Sequence, residues 1–154
     1  MMTSALQPAS PIAADGAAMS RILHRAGVSK GSVVRVTGPA GTTAILWLYR
    51  HGYERASYVH AHWVSSMVEA EVLLVPHTCG ARELANLLQD GTCLREGGLL
   101  IVQTAPDASG HGGDDVAQVL AELGYVLEHR LSDKGRDVCI ARRRGAGAGF
   151  KKAA

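Results

Sequence analysis

Aromatic residues make up only 5% of the 154 positions, so any core must be built mostly from Ala, Val, Leu and Ile. Cysteine is scarce too: Cys79, Cys93 and Cys139 are widely spaced, odd in number and form no CxxC pair. That pattern excludes a disulfide framework and a standard zinc finger, and it suits a reducing compartment. No segment approaches the ~18 consecutive apolar residues of a membrane span. The first 20 residues contain no Lys or Arg, so the charged start of a secretory signal is missing and the cytoplasm is the expected location.

Charge is also sparse, at 19% of residues with a net value of +2, but it is unevenly placed. Five basic and no acidic residues lie between Arg142 and Ala154, which leaves residues 1–141 at −3. A mildly acidic body is a poor nucleic-acid binder, so phosphate contacts are expected only through the basic tail, Arg142-Arg143-Arg144 to Lys151-Lys152. What is abundant is apolar residues, at 47%. A chain of this length and composition forms one soluble domain with a real core.

The pattern along the chain gives that core an architecture. Residues 1–12 are rich in Ser, Ala and Pro and read as a disordered leader. Residues 13–26 place Met19, Ile22, Leu23 and Ala26 at helical spacing, and Gly27 follows as a stop. Val33–Val36 is a short β-branched strand that runs into Thr37-Gly38-Pro39-Ala40-Gly41 and a helix closed by Gly52. Ala56–Ala61 reads as a second strand, and Ser65–Ala70 as at most a helical turn. Glu71–Val75 is a continuous apolar run, the mark of a strand buried on both faces, and Pro76 is expected to end it. Ala81–Asp90 is an amphipathic helix, and Gly97-Gly98 precedes a second buried strand, Leu99–Val102.

Residues 105–113 form a glycine-rich loop that reads as a connector or a lid, and Asp114 or Asp115 is expected to cap a helix to about Leu123. Tyr125–Leu131 and Arg136–Ala141 are strands joined by Ser132–Gly135, which is too short for a crossover helix, so the two must pair antiparallel. The predicted fold class is α/β: a three-layer, Rossmann-like, mostly parallel sheet ending in an antiparallel β-β pair. The predicted division is a leader (1–12), an α/β domain (13–142) and a flexible basic tail (143–154).

Over residues 30–142 the chain resembles a shortened class I S-adenosylmethionine-dependent methyltransferase. Three features carry the resemblance. Val33–Gly41 sits where that family has its glycine-rich first turn, Leu94–Val102 is similar to its Leu-x-Pro-Gly-Gly strand, and Tyr125–Ala141 matches its reversed last strand. The resemblance implies S-adenosylmethionine as cofactor. Its implied binding positions are Gly38, Ala40 and Gly41 at the methionine end, His60 at the ribose, Trp63 facing the ligand and His77 near the acceptor.

The sequence departs from the family in three places. The first loop is Gly-Pro-Ala-Gly rather than Gly-x-Gly-x-Gly, and Pro39 supplies no amide donor. Strand two ends in Val59-His60-Ala61-His62 with no carboxylate for ribose hydroxyls, and a neutral imidazole accepts only one hydrogen bond. About nine residues separate strand two from the next strand, where the family fits a helix, a strand and another helix.

Two further constellations lie at the carboxyl ends of the strands. His60/His62 and His77/Cys79 have i,i+2 spacing and could converge as N/S ligands. Such pairs are common, and histidines collect at loop ends for hydrogen bonding, so no residue is assigned to a metal. Cys79 has His77 or His60 as a candidate base, and a helix start beside it is expected to lower its thiol pKa. No orienting carboxylate follows nearby in sequence, and a small buried residue is the simpler account. Trp47 is expected to pack its helix on the sheet.

The leading expectation is a non-catalytic or regulatory protein acting by association, as a homodimer or with a protein partner, or by binding a small-molecule ligand. The second is an active S-adenosylmethionine-dependent methyltransferase with an atypical site. The third is a metal- or thiol-dependent enzyme using His60, His62, His77 and Cys79. The sequence predicts no membrane role.

Overall fold

A computed structural model describes residues 11–59, 69–89, 94–104, 112–133 and 135–145. A 3-10 turn at Ile12–Ala14 leads into helix α1 (Gly16–Ala26). Then follow β1 (Val34–Val36), α2 (Gly41–Arg50), β2 (Ala56–Tyr58), β3 (Ala70–Cys79) and α3 (Ala81–Gln89). The chain continues through β4 (Leu94–Thr104), α4 (Gly112–Glu122), β5 (Tyr125–Asp133) and β6 (Arg136–Arg143). The sheet has six strands in the order β2-β1-β3-β4-β6-β5. β1 is parallel to β2 and β3, and β3 is parallel to β4. β6 runs antiparallel to both β4 and β5, and because β5 runs on to Asp133 the link expected at Ser132–Gly135 narrows to residues 134–135. The predicted α/β class, with its mostly parallel sheet and antiparallel β-β ending, is the fold observed. Among the described residues no helix is long and apolar enough to cross a membrane.

The central strands are apolar on both sides because helices cover both sides. Val72, Leu74 and Ile101 face Met19, Ile22 and Leu23 of α1 and Leu48 of α2. Leu73, Val75, Leu100 and Val102 face Leu84 and Leu88 of α3 and Val116 and Leu120 of α4. Each fully buried aliphatic side chain contributes about 1.5–3 kcal/mol, so the two aliphatic layers carry the stability that few aromatics could supply. Trp47 packs against the first layer, as expected, and stacks on His51 with ring centroids 3.9 Å apart.

Several boundaries differ from the sequence reading. Pro76 does not end its strand. β3 runs on to Cys79, and its register with β4 passes from Val75↔Val102 directly to Thr78↔Gln103, so Pro76 and His77 form a bulge. β1 has already ended at Val36, opposite Leu74. The missing amide of Pro76 therefore costs no ladder bond. Gly97-Gly98 lies inside β4 rather than before it, at a second register shift where Gly97 takes φ 79°. α4 has already begun at Gly112, so Asp114 and Asp115 lie in its first turn and not at its cap. β2 ends at Tyr58; residues 60, 61 and 65–68 of the expected strand and helical turn lie outside the described residues.

The two ends of the domain are tied more firmly than their composition suggests. Ile12, read above as part of the leader, is 1% exposed, and its amide donates to Gln103 Oε1 at 2.7 Å. Asp15, not residue 13, opens the first helix. Its carboxylate caps the Ala18 amide and accepts from Arg136 Nη2 at 2.6 Å. Arg142 and Arg143, read above with the mobile tail, belong to β6. Arg142 donates to Glu128 and to the Gly97 carbonyl, and the Arg144 amide donates to the Gly124 carbonyl.

Candidate functional site

The connection from β1 leads outward to β2, whereas the connection from β3 leads the other way to β4. The carboxyl ends of β1 and β3 thus form the switch point of the sheet, where open α/β folds place their ligands. Two of its walls are described: the turn Thr37–Gly41 and the bulge Pro76–Cys79.

The turn depends on glycine at two places. Gly38 has φ 101°, a conformation other residues rarely adopt. A Cβ there would lie 2.4 Å from Cε1 and Nδ1 of His77, so the imidazole rests directly on the Gly38 α-carbon. A Cβ on Gly41 would lie 2.4 Å from the Tyr58 ring. Tyr58 Oη also donates to the Gly38 carbonyl at 3.3 Å. Both glycines that open the turn are therefore faced by the protein's own rings, one from β3 and one from β2. Ala40 is the residue before α2 and offers no side-chain cap.

His77 lies in the bulge, between Val75, paired with Val102, and Thr78, paired with Gln103. Its side chain keeps 12% of its exposure, and Nε2 lies 3.1 Å from Glu83 Oε2. Nδ1, on the Gly38 side, is buried without a hydrogen-bond partner among the described residues. Cys79 ends the strand fully buried. Burial, reinforced by the negative charge of Glu83, pushes its thiol up to about 12. This corrects the expectation that a helix start lowers it: α3 begins two residues on, yet burial and the Glu83 carboxylate both raise the thiol. A protonated, buried thiol is not a nucleophile at neutral pH, so the thiol-enzyme reading loses its reactive group.

Of the six predicted site residues, Gly38, Ala40, Gly41 and His77 converge on this rim. His60 and Trp63 lie outside the described residues, as do His62 and His111. Two rim residues escaped the sequence reading. Tyr58 was read only as part of a strand. Glu83 was read only as part of an amphipathic helix, yet His77, Cys79 and Glu83 bring one ligand atom each within 4.8 Å of one another. The available signal was spacing: a helix starting just after Cys79 returns its first-turn residue Glu83 over the strand end.

No protein-family model matches the chain, and no curated protein matches its sequence. Solved structures do match. The ribosomal protein L11 methylase from Lactobacillus delbrueckii subsp. bulgaricus has a TM-score of 0.59 over 84% of this chain and 79% of that one, at 13% identity. A SAM dependent methyltransferase from Aquifex aeolicus gives 0.60 over 82% and 88%, at 9% identity. The magnesium protoporphyrin IX methyltransferase from Synechocystis PCC 6803, solved with bound SAH, gives 0.55 over 85% and 83%, at 11% identity. At these identities the likeness is one of fold.

Proposed function

We propose that this protein carries a class I methyltransferase-like sheet whose cofactor cleft is filled by its own side chains, and that it acts by association or ligand binding rather than by methyl transfer. The observation that supports this most is the pair of rings on the turn glycines. In the family it resembles, those glycines let the backbone approach the methionine part of the cofactor. Here His77 and Tyr58 take up that approach, and Pro39 removes a donor. As they stand, these residues do not fit S-adenosylmethionine.

Association is supported by the β2 side of the molecule. Leu46, Tyr49 and Tyr58 are 50%, 51% and 38% exposed there. β2 is the edge of the described sheet, and a sheet edge is a ready surface for pairing with a second chain. A homodimer or a protein partner on this side is the form we favour.

One observation favours the second reading, an active methyltransferase with a rearranged site. Gly38 keeps its left-handed φ, and Tyr58 is exposed enough to swing off Gly41. Calorimetric titration with S-adenosylhomocysteine separates the two. No heat at millimolar ligand is the expected result; micromolar binding would overturn the closed-cleft reading.

A further inference from the structure

We propose that His77, Cys79 and Glu83 form a three-ligand site for a zinc-class divalent cation. The claim goes beyond the closed-cleft reading and does not depend on it. The three residues bring an imidazole nitrogen, a sulfur and a carboxylate oxygen within 4.8 Å of one another. His77 Nε2 and Glu83 Oε2 are already 3.1 Å apart. Zinc binds N, O and S donors at about 2.0–2.3 Å in a tetrahedron, which puts neighbouring ligand atoms roughly 3.3–3.7 Å apart. The His77–Glu83 pair is slightly closer than that span, and no pair exceeds it by more than about 1 Å.

The donors are also the right kind and are held firmly. A mixed nitrogen, sulfur and oxygen set suits zinc and its neighbours and is a poor cage for magnesium or calcium, which take oxygen alone. His77 and Cys79 lie two apart at the end of β3, held there by the bulge. Glu83 comes from the first turn of α3, whose next residue, Leu84, is fully buried in the core. His77 Nδ1 lies on the Gly38 side, which leaves Nε2 as the nitrogen presented to the other two donors. Three protein ligands leave one corner of a tetrahedron for an outside donor.

The test is a cobalt(II) titration of the full, untagged chain after dialysis against a chelator. One equivalent of cobalt should produce the near-ultraviolet thiolate-to-cobalt charge-transfer band, and zinc should displace it. Cys79→Ser should abolish the band, while Cys93→Ser and Cys139→Ser should leave it intact. Glu83 is 56% exposed, so Glu83→Gln leaves the fold intact and should weaken binding by more than about a hundredfold, beyond the roughly 10–100-fold that losing an outer-shell partner costs. Absence of the band, its survival in Cys79→Ser, or unchanged affinity in Glu83→Gln would each overturn the proposal. None of these outcomes bears on S-adenosylhomocysteine binding, so the two claims fail separately.

Discussion

Replacing Asp15 tests how the start of the chain is held. Its carboxylate caps α1 through the Ala18 amide at 3.1 Å and receives Arg136 Nη2 at 2.6 Å. Arg136 is 3% exposed, and its other terminal nitrogen, Nη1, is buried without a partner among the described residues. Removing the carboxylate would leave a buried guanidinium without the ion pair that the described residues supply. Breaking a buried ion pair in this way costs about 3–5 kcal/mol, and losing an N-cap costs about 1 kcal/mol more. Asp15 keeps 20% of its exposure, so the lower end applies, and Asp15→Ala should cost about 4 kcal/mol. Asp15→Asn keeps the cap and should cost about 3 kcal/mol. Adding Arg136→Met should recover most of that loss, because an apolar side chain of similar size needs no partner. Urea unfolding of the two single variants and the double variant measures the coupling directly. If Asp15→Asn costs less than about 1 kcal/mol, or if the two changes simply add, the buried pair is not what fastens α1 to β6.

Two further outcomes are expected. Burial raises both the Cys79 and the Cys139 thiol. Folding of the metal-free protein therefore favours the protonated thiols. Their contribution is intact below the unfolded value of ~8.5 and declines as pH rises toward the folded value, for Cys79 by about 1.4 kcal/mol per pH unit. Unfolding midpoints measured from pH 7 to pH 10.5 should fall accordingly, and Cys79→Ala should flatten the slope; an unchanged slope would contradict its burial. Gly38→Ala should destabilise by about 1–2 kcal/mol through its left-handed φ alone, and by more through the collision with His77. Pairing it with His77→Ala should recover only the collision part in the same unfolding assay.

Much of the fold was legible because period and punctuation are local. Glu71–Val75 and Leu99–Val102 read as doubly buried strands and Gly27 as a helix stop, and each is so in the structure; the antiparallel pairing drawn from Ser132–Gly135 also holds, although Ser132 and Asp133 belong to β5. The errors share one cause. Pro76 and Gly97-Gly98 were read as punctuation, yet both sit at register shifts inside strands, where the partner strand decides whether a missing amide or an odd φ matters. The same limit applied to the site. Gly38, Ala40 and Gly41 announce a turn by themselves, and His77 could be placed by the strand before it. Tyr58 and Glu83 meet that turn and that histidine only after β2 aligns with β1 and α3 folds back over β3, and no local pattern encodes such a meeting.

The tether between Asp15 and Arg136 spans 121 residues, and that between Ile12 and Gln103 spans 91. During synthesis the first helix leaves the ribosome long before either partner exists. Its apolar stripe of Met19, Ile22 and Leu23 has no finished sheet to rest on until β4 and β6 emerge. Completion must then come nearly all at once, when the last hairpin supplies the guanidinium that locks the beginning of the chain in place. A ribosome stalled before Arg136 would hold a chain whose amino-terminal helix is still open to proteases and chaperones.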